Sequence, residues 1–395
     1  MAGRTTRRTA TRRTAIRRTT VVAGAVLAAA VTAGVLAAPA SAAQGHDHEG
    51  TREALRASIE AGVPGATVGV RDRGRVWKAG LGTGDLRTGE PRGTDDHYRV
   101  GSISKTFLAT VLLQLQAEGE IDLDDSVDKW LPGVVDGNGH DGRRITVRQL
   151  LNHTSGVFNV TEDPEFQRIA FSEEFLKHRY ETKTAGELVA VAMKHKPYFA
   201  PGKGWHYSNT NYNLAGMIVE KVTGRTYAEE IRSRIIEPLG LHGTRSPGTD
   251  PSLPGPHSRA YSKLSEDPAA KKTYDVTRMN PSLAGASGDM ISNSADLNRF
   301  YSALLGGKLL PKAQLKQMRT TVETDPESPE SRYGLGLISS ELSCGVTIWG
   351  HSGGIHGSSS SASVMGDGRH ALAFNFNGDW AGDAGSVIEA EYCGD

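Results

Sequence analysis

No acidic residue precedes Asp47, although seven arginines (Arg4, Arg7, Arg8, Arg12, Arg13, Arg17 and Arg18) crowd the first 18 positions. An apolar run from Val21 to Ala38 follows them, and then Ala40-Ser41-Ala42, a small-x-small cleavage pattern. That order reads as a secretory signal peptide over residues 1–42, with Ala43 first in the mature chain. A permanent N-terminal anchor fits less well, because Gly24, Thr32, Gly34 and Pro39 break the apolar run and the cleavage pattern follows at once. Arg17-Arg18 leaves both Sec and twin-arginine export open. Beyond Ala42 no apolar stretch is long enough to span a bilayer, so a secreted, soluble protein free of the membrane after cleavage is expected. The balance of 45 basic against 45 acidic residues rests on the leader: without its seven arginines the count is 38 against 45, a net of −7. An acidic body offers nothing to nucleic acid or to an anionic membrane.

Cysteine is nearly absent. Cys344 and Cys393 are too few for a cysteine-rich metal site, and neither an HExxH pattern nor a close His/Cys set occurs, so neither metal nor cofactor is expected. In an exported chain an isolated pair reads as a disulfide, which would pin the C-terminal segment by roughly 4 kcal/mol. Low-complexity sequence and internal repeats are also missing. With 395 residues, 37% hydrophobic and 23% charged, the chain can bury a core of one large domain or two lobes.

Residues 43–50 are polar and read as a frayed tail, His46 and His48 included. Thr51 to Ala61 suits a short helix; Gly65–Val70 and Arg75–Gly80 suit strands, with the GTGD stretch at 82–85 a glycine turn. Ser102–Glu118 is the strongest helix, with Phe107, Leu108, Val111, Leu112 and Leu115 on it. Thr146–Asn152, Ser172–Lys194, Asn209–Val222 and Tyr227–Ile236 continue a helical middle. Strands return at Gly334–Ser339, Val346–Trp349, Ser358–Met365 and Ala371–Asn377, before a last helix at Ala384–Tyr392. The order predicts an α/β (α+β) fold. Residues 43–100 and 285–395 would form a sheet-containing domain and 101–284 an inserted, mostly helical one, with the active site at their interface.

Three clusters carry chemistry. Ser102-Ile103-Ser104-Lys105 sets a hydroxyl and an amine one turn apart on one helix face. The serine becomes nucleophilic when a neighbouring base takes its proton, and a desolvated lysine can be that base. The helix N-terminus offers N–H groups to a developing oxyanion. Tyr207-Ser208-Asn209 brings a phenol able to relay a proton and an amide able to hold a substrate carbonyl. His351-Ser352-Gly353 follows an apolar segment, as a strand edge that can pair with an extended acyl-amide substrate. A second SxxK copy, Ser126-Val127-Asp128-Lys129, falls in an aspartate-rich turn and reads as solvated surface. Gly350-His351-Ser352-Gly353-Gly354 also matches the G-x-S-x-G nucleophile elbow, but a strand-like Gly/Ser run rather than a helix follows it. His153 in Asn152-His153-Thr154-Ser155-Gly156 reads as a hydrogen-bonded residue ordering a helix end.

In this order the three clusters resemble the SxxK, YxN and HxG motifs of the serine β-lactamase and penicillin-binding family. The likeness runs through YRVGSISKTF (98–107), ITVRQLLNHTSG (145–156), YSNTNYNLAGMIVEKVTG (207–224), YGLGL (333–337) and LSCG (342–345). It is strongest toward the secreted D-alanyl-D-alanine carboxypeptidase branch, where a histidine also stands in the third motif and a disulfide joins the equivalents of Cys344 and Cys393. The resemblance implies an antiparallel sheet flanked by helices and a Ser102 acyl-enzyme, with no cofactor. Lys105 and Tyr207 would shuttle the proton, either one being the primary base. Asn209, His351, Ser352 and Gly353 would bind substrate, the N–H groups of Ser102 and Gly354 would form the oxyanion hole, and a His351 that titrates near neutrality would support a positive field. A monomer acting on a small peptide or acyl substrate, including peptidoglycan stem peptides and β-lactams, is expected. The branch's carboxylate-binding arginine is replaced by Ile338, and Gly354 replaces a hydroxyl residue. Losing that arginine leaves an esterase, a D-amino-acid amidase or aminopeptidase, a β-lactamase and a non-catalytic penicillin-binding module as alternatives to the carboxypeptidase.

Overall fold

The computed structural model describes residues 48–394 apart from 266, 268 and 325–329. The expected signal segment and His46 lie outside the described residues. Among them, the main sheet takes its strands from both chain ends: β1 (Gly65–Asp72), β2 (Arg75–Asp85), β3 (Glu90–Pro91), β4 (Val322–Glu323), β5 (Ser331–Tyr333), β6 (Ile338–Glu341), β7 (Thr347–Ile355), β8 (Ser358–Met365) and β9 (His370–Phe376). Their order is β4-β5-β6-β7-β8-β9-β1-β2-β3, and each neighbouring pair is antiparallel. Six consecutive residues of β1, from Gly65 to Val70, are buried, so this strand is covered on both faces. On one face α1 (Glu49–Glu60) and α6 (Ala384–Cys393) place Leu55 and Val387 among Val68, Val70, Phe374 and Phe376.

The helix α2 (Ser104–Glu118) is the centre of the larger core. Phe107, Leu108 and Leu112 have no exposure at all, and Phe107 stacks on Phe300 of α5 (Ser294–Leu305). A helix apolar nearly all round must be enclosed, and each such side chain contributes about 1.5–3 kcal/mol of burial. This enclosure fixes the helix start, where the SxxK cluster lies.

The sequence expectations need correction in five places. The GTGD stretch is not a turn: β2 runs through it to Asp85, with the pairing register shifting between Thr83 and Asp85. The single helix expected over Ser172–Lys194 is two short ones, Phe175–His178 and Ala185–Ala192, because Thr184 caps the second through a capping box with Glu187. Gly334–Leu337 turns the chain between β5 and β6 instead of forming strand. The strand expected at Val346–Trp349 continues as β7 through the whole third motif to Ile355. His48 is no frayed tail residue: it stacks on Trp77 and its Nδ1 lies 3.0 Å from the Glu391 carboxylate.

Glu391 gathers both chain ends. Its oxygens accept from Thr51 at 2.6 Å and lie 2.7 Å from His370 Nε2. Burial works to raise its pKa, but the bonds from His370 and Thr51 and the charge of His48 hold it below the usual range. Beside it, Cys344 and Cys393 form the disulfide, with Cα atoms 5.7 Å apart. Replacing both cysteines by serine should lower the unfolding free energy in urea by about 2–4 kcal/mol. An unchanged midpoint would mean that α6 is held by packing and the Glu391 cluster alone.

Candidate active site

A 3-10 turn over Gly101–Ile103 delivers Ser102 at the mouth of α2. Gly101 has φ +53°, and a Cβ there would come within 2.9 Å of Gly354 N. At Gly353 a Cβ would overlap the Val100 carbonyl and lie 2.9 Å from Ser102 N. Two glycines therefore let β7 lie directly on the turn that carries the serine. Ser102 and Gly354 line one cavity of about 150 Å³, together with Asn209 and the apolar side chains of Val160, Phe166, Phe171, Leu283 and Ile355.

Lys105 is wholly buried. Its Nζ donates to Asn209 Oδ1 and to Ser287 O, both at 2.8 Å, and lies 3.0 Å from Ser102 Oγ. Among the described residues no carboxylate pairs with it, and burial pushes the amine well below its usual range. A neutral amine has two hydrogens, which Asn209 and Ser287 accept, so its lone pair is left for the Ser102 hydroxyl. The rings of Tyr207 and Tyr212 pack around it with centroids 4.8 and 5.4 Å from Nζ.

Tyr207 sits in the extended segment before α4 (Asn209–Thr223), well after the short helix α3 (Val147–Leu151). Burial raises its phenol pKa, with an interaction with the Ser102 hydroxyl working against the rise. Asn209 is fixed on three sides: its N–H donates to Asn159 Oδ1 at 3.0 Å, its Nδ2 to Thr161 Oγ1 at 3.3 Å, and its Oδ1 accepts from Lys105. The structure thus brings Ser102, Lys105, Tyr207 and Asn209, from the first two sequence clusters, into one place.

His351 is placed as expected on β7 but is electrically different. It is buried, and desolvation pushes its pKa down to about 3. Its Nδ1 donates to Ser352 O at 2.5 Å and its Nε2 accepts from the Tyr333 hydroxyl at 2.9 Å. The expectation of a histidine titrating near neutrality and supporting a positive field is therefore overturned: the imidazole is neutral. Ser352 and Gly354 alternate with it on the exposed side of the strand. Ile338 pairs with Gly350 in the β6–β7 ladder. Arg332 points elsewhere, to Thr321 Oγ1 at 3.1 Å and Glu323 at 3.5 Å.

The competing motifs fall into place. Gly350–Gly354 is mid-strand and leads into β8, not into a helix, so no nucleophile elbow exists there. Ser126 caps a one-turn helix and Lys129 pairs with Asp125 on the surface. His153 is buried and hydrogen-bonded at the end of α3. Three contributors were missed: the Ser287 carbonyl, Thr161 and Tyr333. Tyr333 opens the YGLGL segment, a signal that was available, whereas a backbone carbonyl leaves no mark in a sequence.

The Beta-lactamase family profile matches residues 22–387. The chain belongs to this family and has the β-lactamase and penicillin-binding fold. Among similar proteins, Penicillin-binding protein 4* of Bacillus subtilis (strain 168) is 30% identical over 310 residues, covering 76% of this chain and 65% of that protein. Penicillin-binding protein 4 of Amycolatopsis lactamdurans is 30% identical over 265 residues, 66% of this chain and 63% of that one. The chain thus spans less than two thirds of these relatives' length. Among solved structures, a D-stereospecific amidohydrolase from Streptomyces sp. is 60% identical, with TM-score 0.85, covering 88% of this chain and 99% of that one. D-amino acid amidase from Ochrobactrum anthropi SV3, complexed with D-phenylalanine, is 28% identical with TM-score 0.75, covering 87% and 98%.

His153, His351 and the buried His356 (pushed down to about 4, again by desolvation first) all stay neutral in the fold, whereas the unfolded chain takes up protons near the ordinary histidine value of about 6.5. Stability should therefore fall as pH drops below about 6.5, by at most about 1.4 kcal/mol per unit for each histidine. Urea midpoints between pH 7 and 5 check this, and a flat series would contradict the neutral assignments.

Proposed function

We propose that this chain is a secreted D-stereospecific amidohydrolase that works through an acyl-enzyme on Ser102. Neutral Lys105 takes the Ser102 proton as Oγ bonds to the substrate carbonyl carbon. The oxyanion is held by the N–H groups of Ser102 and Gly354. As the C–N bond breaks, Tyr207 gives a proton to the leaving amine and is recharged from Lys105. Lys105, neutral again, then takes a proton from the water that attacks the acyl carbon and returns it to Ser102 Oγ as the acid leaves. Asn209 orients the acyl amide, and the apolar wall of Val160, Phe166, Phe171 and Leu283 suits an apolar acyl side chain.

One observation carries the choice among family activities. On the leaving-group side Ile338 pairs with Gly350 and His351 is neutral, so among the described residues neither offers a cation to a terminal carboxylate. A carboxypeptidase must bind that carboxylate, whereas an amidase releases ammonia or a neutral amine. The likeness to a D-stereospecific amidohydrolase supports the same reading.

The mature protein should release ammonia from D-phenylalanine amide, with the L-enantiomer turned over about 100-fold less well. Ser102→Ala should cut this by about 10⁴-fold or more. Faster release of D-alanine from an acylated D-alanyl-D-alanine peptide would restore the carboxypeptidase. Intact mass after benzylpenicillin, with Ser102→Ala alongside, reports whether a stable acyl adduct forms on the same serine.

A further inference from the structure

His153 has no part in the acyl-transfer scheme above, yet it touches the site from behind at several points. It follows α3, after Asn152, with φ +62°, a left-handed conformation usual for glycine or asparagine at a helix end. Its carbonyl accepts the His206 N–H at 3.1 Å, and its Nδ1 accepts the Ser208 N–H at 3.2 Å. The two residues flanking Tyr207 are thus both bonded to this one histidine. Between them the Tyr207 ring packs on the imidazole, with centroids 4.4 Å apart and planes tilted by 38°.

The backbone donor at Ser208 fixes the tautomer. Nδ1 must be unprotonated, and a second donor, Asn211 Nδ2 at 3.2 Å, agrees, since Asn211 Oδ1 accepts from Ser155. The proton therefore lies on Nε2, which is buried without a hydrogen-bond partner among the described residues. The imidazole meets Tyr333 edge-on, with centroids 4.8 Å apart, and Tyr333 in turn donates to His351. One neutral ring braces the second motif and abuts the residue that anchors the third.

We infer that His153 is a positioning residue for Tyr207: by holding residues 206 and 208 and backing the phenol ring, it aims the Tyr207 hydroxyl at the leaving amine. This rests on the role given to Tyr207 above and extends it to a residue that never touches substrate. The consequence is selective. An amide needs its leaving nitrogen protonated, whereas a p-nitrophenyl ester loses its leaving group as an anion without a proton. Misplacing Tyr207 therefore penalises amides far more than activated esters.

His153→Gly removes the ring while keeping a residue at ease with φ +62°. With D-phenylalanine amide and D-phenylalanine p-nitrophenyl ester as paired substrates, kcat for the amide should fall about 100-fold, with KM and the ester rate little changed. Tyr207→Phe should shift the amide-to-ester ratio in the same direction. His153→Asn should restore most of the ratio, because Asn Oδ1 stands where Nδ1 stood and tolerates the left-handed backbone. Equal losses on amide and ester, or an asparagine variant no better than glycine, would overturn the inference. If the glycine variant does not fold, the asparagine one decides: a ratio displaced by more than about tenfold from wild type refutes the role of the Nδ1 acceptor. Wild-type turnover of the D-amide reports separately on the amidohydrolase reading, and any donor with an amine leaving group that the enzyme accepts serves for the ratio.

Discussion

The site depends on an amine buried without a counter-ion. Lys105 has no exposure, and among the described residues no carboxylate pairs with it. A charged ammonium there would carry a desolvation penalty of several kcal/mol, so the fold selects the neutral form. Both remaining hydrogens then need acceptors, and these come from distant parts of the chain: Asn209 at the start of α4 and the Ser287 carbonyl in the 3-10 turn Gly285–Ser287 ahead of α5. A base is made by leaving a cation without its anion.

That constraint explains how strict the surrounding geometry is. Lys105 can face Ser102 only if α2 begins where it does, and its start is set by the turn wedged against β7. Gly101 and Gly353 make the contact possible, since a side chain at either would push the strand from the turn. Asn209 in turn is held by Asn159 and Thr161, so the loop before it becomes part of the site without presenting any reactive group.

Much of this was legible in the sequence. The three-residue spacing in SxxK puts hydroxyl and amine on one helix face whatever the rest of the fold, and the apolar residues that follow mark the helix as enclosed. The strand returns near the C-terminus, the cysteine pair and the family likeness were equally local or compositional signals. What escaped was set by tertiary surroundings. His351 reads as a titratable cation from its identity alone, but its burial makes it neutral. The polar residues before α1 look like a tail until Glu391, more than 300 residues away, appears beside His48. The β5–β6 turn looks like strand because Leu335 and Leu337 are apolar, although they are buried in the core from a loop.

The division of labour within the site also bears on how substrate preference is set. Acylation relies on buried groups whose partners are largely main-chain or deeply packed, so changing any of them disturbs the fold. In the proposed reading the leaving group lies at the margin between β6 and β7, where Ile338 pairs with Gly350 in the ladder. A guanidinium at that position would create affinity for a terminal carboxylate, while an aliphatic side chain beside a neutral imidazole leaves the margin uncharged. One acyl-transfer core can therefore serve carboxypeptidase or amidase chemistry through the charge carried by a single strand pair. At this strand pair, among the described residues, Ile338 and the buried neutral His351 supply no cation, and the proposed amidohydrolase reading rests on that.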